Sequence, residues 1–261
     1  MEVNIDGIHK VTHLFTAQYS IKHLVNYCHL CFYVCKKPQV QIKINELSEE
    51  YNNIYVTASK SGKLNSAIFG SFLDNVLKPY VGENNFIFIT DSWGGQTDLA
   101  VFNEKFINEN GERTCQVEII PPRCTPFCQP CDVYFFRQVK LLISRLQNIP
   151  YLLEEGRHVN RREDKVKIHS LVHNQLSAPL FHEMIKYAWS ASKLLPERTV
   201  FMNVNDVCFP TDLRTKKCNC GNFSFIKYSW CRKILCFVCF YDIYHPNNCV
   251  QSCYYSVSES E

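Results

Sequence analysis

Two carboxylates stand where the chain changes direction. The apolar run Phe86-Ile87-Phe88-Ile89 ends in Thr90-Asp91-Ser92-Trp93-Gly94-Gly95, and Gln129-Pro130-Cys131-Asp132 leads into a helix-like segment from Val133. Asp91 thus ends a short apolar strand, and Asp132 falls where a helix N-cap belongs. Carboxylates placed this way can share divalent ions, which prefer hard oxygen ligands. The plain alternatives are an Asp132 that only caps its helix and an Asp91 that only shapes a turn before two glycines. Asp98, shortly after Asp91, reads as a solvated or capping acid.

A second constellation lies near the C-terminus: Cys218-x-Cys220, Cys231, Cys236-x-x-Cys239, His245 and Cys249. Close pairs of thiolate and imidazole ligands suit tetrahedral structural zinc. Cys218, Cys220, Cys236 and Cys239 make one complete set. Cys231, His245 and Cys249 make an incomplete one, because Tyr228 stands where the fourth ligand is expected; Cys253 or Cys208 would have to substitute. The segment is too short to bury an adequate core, so metal is expected to supply its folding energy. Lys216, Lys217, Arg232 and Lys233 surround these ligands, interleaved with Phe223, Phe225, Tyr228 and Trp230. That mixture suits phosphate contact and base stacking, and equally a zinc module that binds a protein partner. A second basic cluster, Arg157, Arg161, Arg162, Lys165 and Lys167, suits a DNA path or a solvated face. Cys124, Cys128 and Cys131 crowd the loop before Asp132 without a fourth ligand, and Cys28, Cys31 and Cys35 fall in a strand pattern, where cysteine behaves as a small hydrophobe.

The elements that must position these groups follow from periodicity. His13 to Ile21, Leu30 to Cys35, Ile54 to Ala58, Phe86 to Thr90 and Cys115 to Ile120 read as strands, the fourth as a central strand covered on both faces. Helices are predicted over Val40 to Tyr51, Leu64 to Leu77 with Pro79 ending it, Thr97 to Phe106, from Val133 onward, Lys165 to Gln175 and Leu180 to Leu195. Ser59 to Lys63 reads as a polar turn, Pro121 to Cys131 as irregular, and Pro210 to Lys217 as a charged linker. The order implies a mixed α/β sheet with helices on its faces. In such sheets, sites form beyond the carboxyl ends of strands, where Asp91 stands.

The chain has 261 residues, enough for one large domain and a small one, and a net charge of +3 that decides little. No apolar run reaches the roughly 20 residues of a spanning helix, so no membrane association is expected. The N-terminus lacks a signal-peptide pattern. With a reducing compartment inferred, the fifteen cysteines argue for metal rather than disulfides.

Taken in order, Asp91-Ser92-Trp93-Gly94-Gly95, Pro121-Pro122-Arg123-Cys124-Thr125, Gln129-Pro130-Cys131-Asp132 and Phe135-Phe136-Arg137-x-x-Lys140 resemble the DDE superfamily of transposon-derived endonucleases, in its pogo and Jerky-like branch. Tyr55 to Gly62 and His169 to Val204 also look like that family. The resemblance implies an RNase H-like fold, incomplete at the N-terminus, over residues 1–205, followed by a zinc-stabilised module over 206–253 and a tail over 254–261. It implies a two-metal site for magnesium or manganese, with Asp91 as second acid and Asp132 as third. The family's first acid lies on an upstream strand; Asp6 in Val3-Asn4-Ile5-Asp6-Gly7 is the candidate to imitate it. DNA as partner and the nucleus as location follow, with Lys140, Arg161, Arg162, Lys216, Lys217, Arg232 and Lys233 as candidate contacts. The leading expectation is a DDE-domain protein that binds nucleic acid and has lost catalysis. The alternatives are an active metal-dependent endonuclease using Asp6, Asp91 and Asp132, and a zinc-module interaction factor without a nucleic-acid role.

Overall fold

The computed structural model describes residues 15–22, 31–36, 50–153, 158–196 and 199–245. Asp6, Cys28, Arg157, Cys249 and Cys253 lie outside them, as does nearly all of the predicted Val40 to Tyr51 helix. Strands β1 (Phe15–Gln18), β2 (Cys31–Lys36) and β3 (Ile54–Ser59) form a sheet with β2 in the middle. β2 runs antiparallel to β1 and parallel to β3, so that Tyr33 is flanked by Ala17 and Val56. Its side chains alternate between two cores: Cys31, Tyr33 and Cys35 enter one cluster, Phe32 and Val34 the other. This is the period of two expected of a strand.

The turn after β3 closes as expected, with the Ser59 hydroxyl donating to the Lys63 carbonyl at 2.8 Å. Helix α1 (Ser66–Phe72) starts on an Asn65 cap and runs through a π-helical stretch, Leu73–Leu77, into α2 (Lys78–Val81). Pro79 therefore does not end the helix. The Lys78 N–H reaches back to the Leu73 carbonyl, and Pro79, which has no N–H to offer, sits in the first turn of α2, where none is needed. The stop comes at Gly82, with φ of 57°.

Strand β4 (Phe86–Thr90) pairs in parallel with β5 (Cys115–Ile119). The expectation that β4 is covered on both faces is overturned. Among the described residues it pairs with β5 alone, and Ile87 is 60% exposed. The doubly covered strand is β2, between the two cores. Between β4 and β5 lies α3 (Leu99–Lys105), capped by Asp98, whose Oδ1 accepts the Ala100 N–H at 3.0 Å. The proline-rich loop after β5, expected to be irregular, holds one helical turn, α4 (Thr125–Cys128), with Pro126 in its first turn. The π-helical segment Cys131–Phe135 then leads into α5 (Phe136–Leu153).

Helix α6 (Arg162–Leu176) is buried nearly all round, polar positions included: Asp164, His169, Ser170, His173 and Gln175 lie inside with Val166, Ile168 and Leu171. One side meets the sheet: the Tyr19 hydroxyl lies 2.6 Å from His169 Nδ1. The other side meets the C-terminal segment, which follows α7 (His182–Ala191) and α8 (Val204–Cys208). Residues Pro210 to Lys217, expected as a linker, fold into a 3-10 turn, Thr211–Thr215, that buries Leu213. After it come the hairpin strands β6 (Ile226–Lys227) and β7 (Ile234–Leu235) and the π-helical Val238–Asp242. Phe225, Ile226, Tyr228, Phe240 and Tyr241 join the same core as β2, α5 and α6.

Polar clasps fix this docking. The Gln175 amide donates to the Lys227 carbonyl at 2.9 Å and accepts the Ser229 N–H at 3.2 Å. The Tyr228 hydroxyl donates to Asn174 Oδ1 at 2.6 Å, and the Trp230 indole to the Asn174 carbonyl at 2.8 Å. Gln175→Ala strands the Ser229 N–H and the Lys227 carbonyl together. A loss of about 2–3 kcal/mol is expected, read as a lower urea midpoint with unchanged slope.

Candidate functional site

β4 delivers Asp91 to the end of the strand. Its Oδ1 accepts the Trp93 backbone N–H at 2.9 Å and the Gln96 side-chain amide. The first bond is the local turn that aspartate makes with its own chain two residues on. The Trp93 ring folds over Gly95 so closely that a Cβ there would meet it at 2.2 Å. Among the described residues, Asp91 Oδ2 takes no hydrogen bond.

Asp132 does not cap its helix, which corrects the plain reading. The chain is already helical at Pro130, which occupies the cap position, and the Asp132 N–H bonds to the Gln129 carbonyl at 3.0 Å. Proline's fixed φ starts the helix two residues early, so the Asp132 carboxylate is released from capping. It lies near Asp91. Partial burial first, and the negative charge of Asp91 second, push the Asp132 carboxyl above its usual range, while Lys140 pulls it back. The residue as a whole is exposed, so this burial is incomplete. The Asp132 carboxyl thus lies within electrostatic range of Asp91, at the end of β4, and of Lys140, on α5. The oxygens of the two carboxylates are the donor type that magnesium or manganese takes. Among the described residues, no third histidine, cysteine, aspartate or glutamate groups with them.

Four thiols converge at the other constellation. The ligand atoms of Cys218, Cys220, Cys236 and Cys239 all lie within 4.8 Å of one another, and Cys220 Sγ is 3.5 Å from Cys236 Sγ. A tetrahedral zinc with bonds of 2.3 Å places its sulfurs about 3.8 Å apart, so the four fit such an ion. Gly221, with φ of 90°, turns the first pair back on itself, its N–H bonded to the Cys218 carbonyl at 2.8 Å. The Asn222 backbone N–H, and then the Cys236 thiol, hold the Cys220 thiol down to about 7. The Cys239 N–H donates to Cys236 Sγ at 3.4 Å. All four cysteines are free of disulfides.

Of the second set, the described residues include Cys231 and His245. Cys231 Sγ meets His245 Nε2 at 3.4 Å, and the Tyr228 ring packs edge-on against His245 with centroids 4.8 Å apart. The Tyr228 hydroxyl is committed to Asn174. Cys208, a possible substitute, is bonded by the Gln175 amide at 3.2 Å instead. Burial first, and Asp132 second, push the Cys131 thiol up to about 12.

The family model described as DDE superfamily endonuclease matches residues 29–201. This chain belongs to that family. No curated protein and no solved structure gives a significant match. The match takes in β2 to α7, and so both Asp91 and Asp132. It stops short of the four-cysteine centre. The mixed α/β architecture accords with an RNase H-like DDE domain, and no helix among the described residues is long and apolar enough to cross a membrane.

The candidate basic residues are dispersed along the chain. Lys140 acts on the Asp132 carboxyl through its charge. Arg161 caps α6, largely exposed, with its Nε 3.3 Å from Asp164, and Arg162 follows in the first turn. Lys167 lies over the Tyr241 ring at 4.8 Å, holding the C-terminal segment rather than facing solvent alone. Lys216 pairs with Asp212, and Lys217 sits over Phe223 at 5.9 Å. Arg232 and Lys233 are exposed between β6 and β7. Gln96 was not singled out from the sequence. Its one signal is its place just past the Gly94-Gly95 break, which swings it back onto Asp91.

Proposed function

We propose that this DDE endonuclease domain is a transposase-derived, pogo- and Jerky-like protein that binds DNA in the nucleus and cleaves it weakly or not at all. The observation that carries this reading is the family match over residues 29–201, which takes in Asp91 at the end of a parallel strand and Asp132, whose carboxyl feels the charge of Asp91. Asp91 and Asp132 would hold magnesium or manganese, which supplies charge neutralisation at a phosphodiester. In-line phosphoryl transfer uses two ions about 3.5–4 Å apart. Two carboxylates, one of them also holding the Gln96 amide, are a sparse ligand set for a pair of ions. Arg161, Arg162, Lys216, Lys217, Arg232 and Lys233 supply phosphate contacts. The four cysteines hold zinc as a structural ion, within a module over 206–253 that follows a DDE-type domain over 1–205.

The test uses the full chain and end-labelled duplex DNA, with magnesium or manganese present or absent. Salt-dependent binding is expected, with cleavage no faster than that of the Asp91→Asn, Asp132→Asn double variant. Removing one phosphate contact, as in Arg162→Gln, should reduce the slope of log affinity against log salt by about 0.9. Metal-dependent cleavage lost in Asp6→Asn as well as in the double variant supports the active endonuclease instead. An absence of duplex binding at any salt leaves the zinc module as a site for a protein partner.

A further inference from the structure

Of the twelve free cysteines among the described residues, Cys220 is the only exposed one. It belongs to the four-thiol centre, yet its partners there are shielded: Cys218 and Cys236 are 4% and 3% exposed, and Cys239 is half-buried. The backbone accounts for the difference. Cys218 and Gly221 close a tight turn, with the Gly221 N–H on the Cys218 carbonyl at 2.8 Å. Cys220 sits within that turn, while the Cys218 N–H draws its own residue back onto the Asn222 carbonyl at 2.9 Å. Cys236 lies across the centre, just after β7, with its carbonyl taken by the N–H of the buried Phe240 at 3.1 Å. The Cys220 and Cys236 sulfurs are 3.5 Å apart. A disulfide brings its sulfurs to about 2.05 Å, so the two need only a small approach to bond.

An open thiol with a shielded thiol beside it supplies both parts of an oxidation site. The oxidant needs an accessible sulfur, and the sulfenic acid it leaves needs a second thiol within reach to condense with. We infer that Cys220 is an oxidation site that reacts with a hydroperoxide and closes a disulfide with Cys236. In the first step the Cys220 sulfur attacks a peroxide oxygen; an S–O bond forms, the O–O bond breaks, and the second oxygen leaves as water. In the next the Cys236 sulfur attacks the Cys220 sulfur; the S–S bond forms, the S–O bond breaks, and that oxygen also leaves as water. Two thiols and one hydrogen peroxide give one disulfide and two waters, with two electrons passing from sulfur to peroxide. Where the thiols start ionised on a metal, solvent supplies the two protons. Cys218 and Cys239 are then left, too few to hold a tetrahedral structural ion. The inference rests on the zinc reading above and adds a regulation of that centre, in which an oxidant exchanges one crosslink for another. The disulfide ties together the same two segments that the ion joined. Closing a loop of about 15 residues recovers most of what a structural zinc contributes. The oxidised, zinc-free chain therefore stays folded, whereas the chelated, reduced chain loosens.

The experiment treats the full chain, its zinc counted by elemental analysis, with excess hydrogen peroxide. Released zinc is followed with a chromogenic chelator, new disulfides are mapped by mass spectrometry, and each form is melted. The bound zinc should be released in full, with Cys220–Cys236 as the principal disulfide. The oxidised chain should melt about 3 °C below the zinc form, against about 10 °C for the chelated, reduced chain. Dithiothreitol with added zinc should restore the starting melt. Cys220→His keeps a fourth ligand of a type zinc accepts and cannot form the disulfide, so its zinc should leave about tenfold more slowly under peroxide. Zinc retained by peroxide-treated wild type overturns the inference, as does a map in which Cys220 stays reduced or pairs with a cysteine other than Cys236. Release from Cys220→His as fast as from wild type overturns it too. Should that variant take up no zinc, the wild-type map decides alone. A wild type without zinc removes the zinc reading, and the map of its peroxide-treated form still tests the oxidation site.

Discussion

Cys236→Ser, or removal of metal by a strong chelator, is expected to lower the melting temperature of the whole chain by about 10 °C. The estimate takes about 4 kcal/mol from a structural zinc site, a fraction of its total affinity, and about 2–4 °C per kcal/mol for a chain of this size. Cys236 is the buried centre of the cluster, within 3.5 Å of Cys220 Sγ and bonded by the Cys239 N–H. The reason the loss should spread is the shared core. Phe225, Ile226, Tyr228, Phe240 and Tyr241 pack with α6, and Gln175, Asn174 and Ser170 clasp the same segment. Hydrogen exchange should therefore accelerate in α6 as well as between residues 218 and 242. Cys231→Ser should cost far less, because Cys231 meets only His245 among the candidate ligands described. Elemental analysis of wild type should give one zinc per chain. A ratio near zero, or a chelated protein in which only the C-terminal segment exchanges faster, would sink the idea.

The strands and helices that carry the site were legible because their side-chain period is strong. β2, β3, β4 and β5 lie within a residue or two of the expected runs, and of the two readings of Asp98, solvated or capping, the structure shows the cap. What failed did so for tertiary reasons. An apolar run such as Phe86 to Ile89 looks the same whether one or two layers cover it, and Ile87 proved exposed. Pro79 reads as a stop because a proline breaks the i to i−4 ladder; a π-helical slip just before it removes that conflict. α6 has little amphipathic pattern because both its faces are buried, so its polar residues look like a solvated face. They are the clasps of two layers. The same blindness applies at the site. Asp91 and Asp132 were visible as types in a motif. The Gln96 amide on Asp91 depends on which segments the fold brings together. Tyr228 was legible as a missing ligand, and the structure shows what it does there instead: its hydroxyl anchors the segment to Asn174.

Acid should loosen the same α6 seam, and His169 is the group to watch. It is buried beside Tyr19 and Tyr33, and burial first, with Lys165 second, pushes it from 6.5 down to about 3. The unfolded chain takes up the proton as pH falls through about 6.5, while the folded chain keeps His169 neutral until about pH 3. His169 therefore contributes stability that is fully present above pH 6.5. It is lost at about 1.4 kcal/mol per unit below that, or about 2 kcal/mol by pH 5. Asp132 works in the opposite sense, since its raised carboxyl binds a proton more readily in the folded chain. His182 and His245, also lowered chiefly by burial, act in the same sense as His169 over this range, so the His169 share is read as the difference between wild type and His169→Asn in urea unfolding between pH 6.5 and 5. Wild type should lose stability across that window, with His169 contributing nearly one proton to the slope. His169→Asn keeps a polar group toward the Tyr19 hydroxyl and cannot titrate. It should start less stable, because a smaller side chain leaves a gap, but its slope should fall by that one proton. A slope unchanged by the substitution would assign the acid sensitivity elsewhere. Because α6 joins the sheet to the four-cysteine segment, zinc held there should also be released at a higher pH from wild type than from His169→Asn.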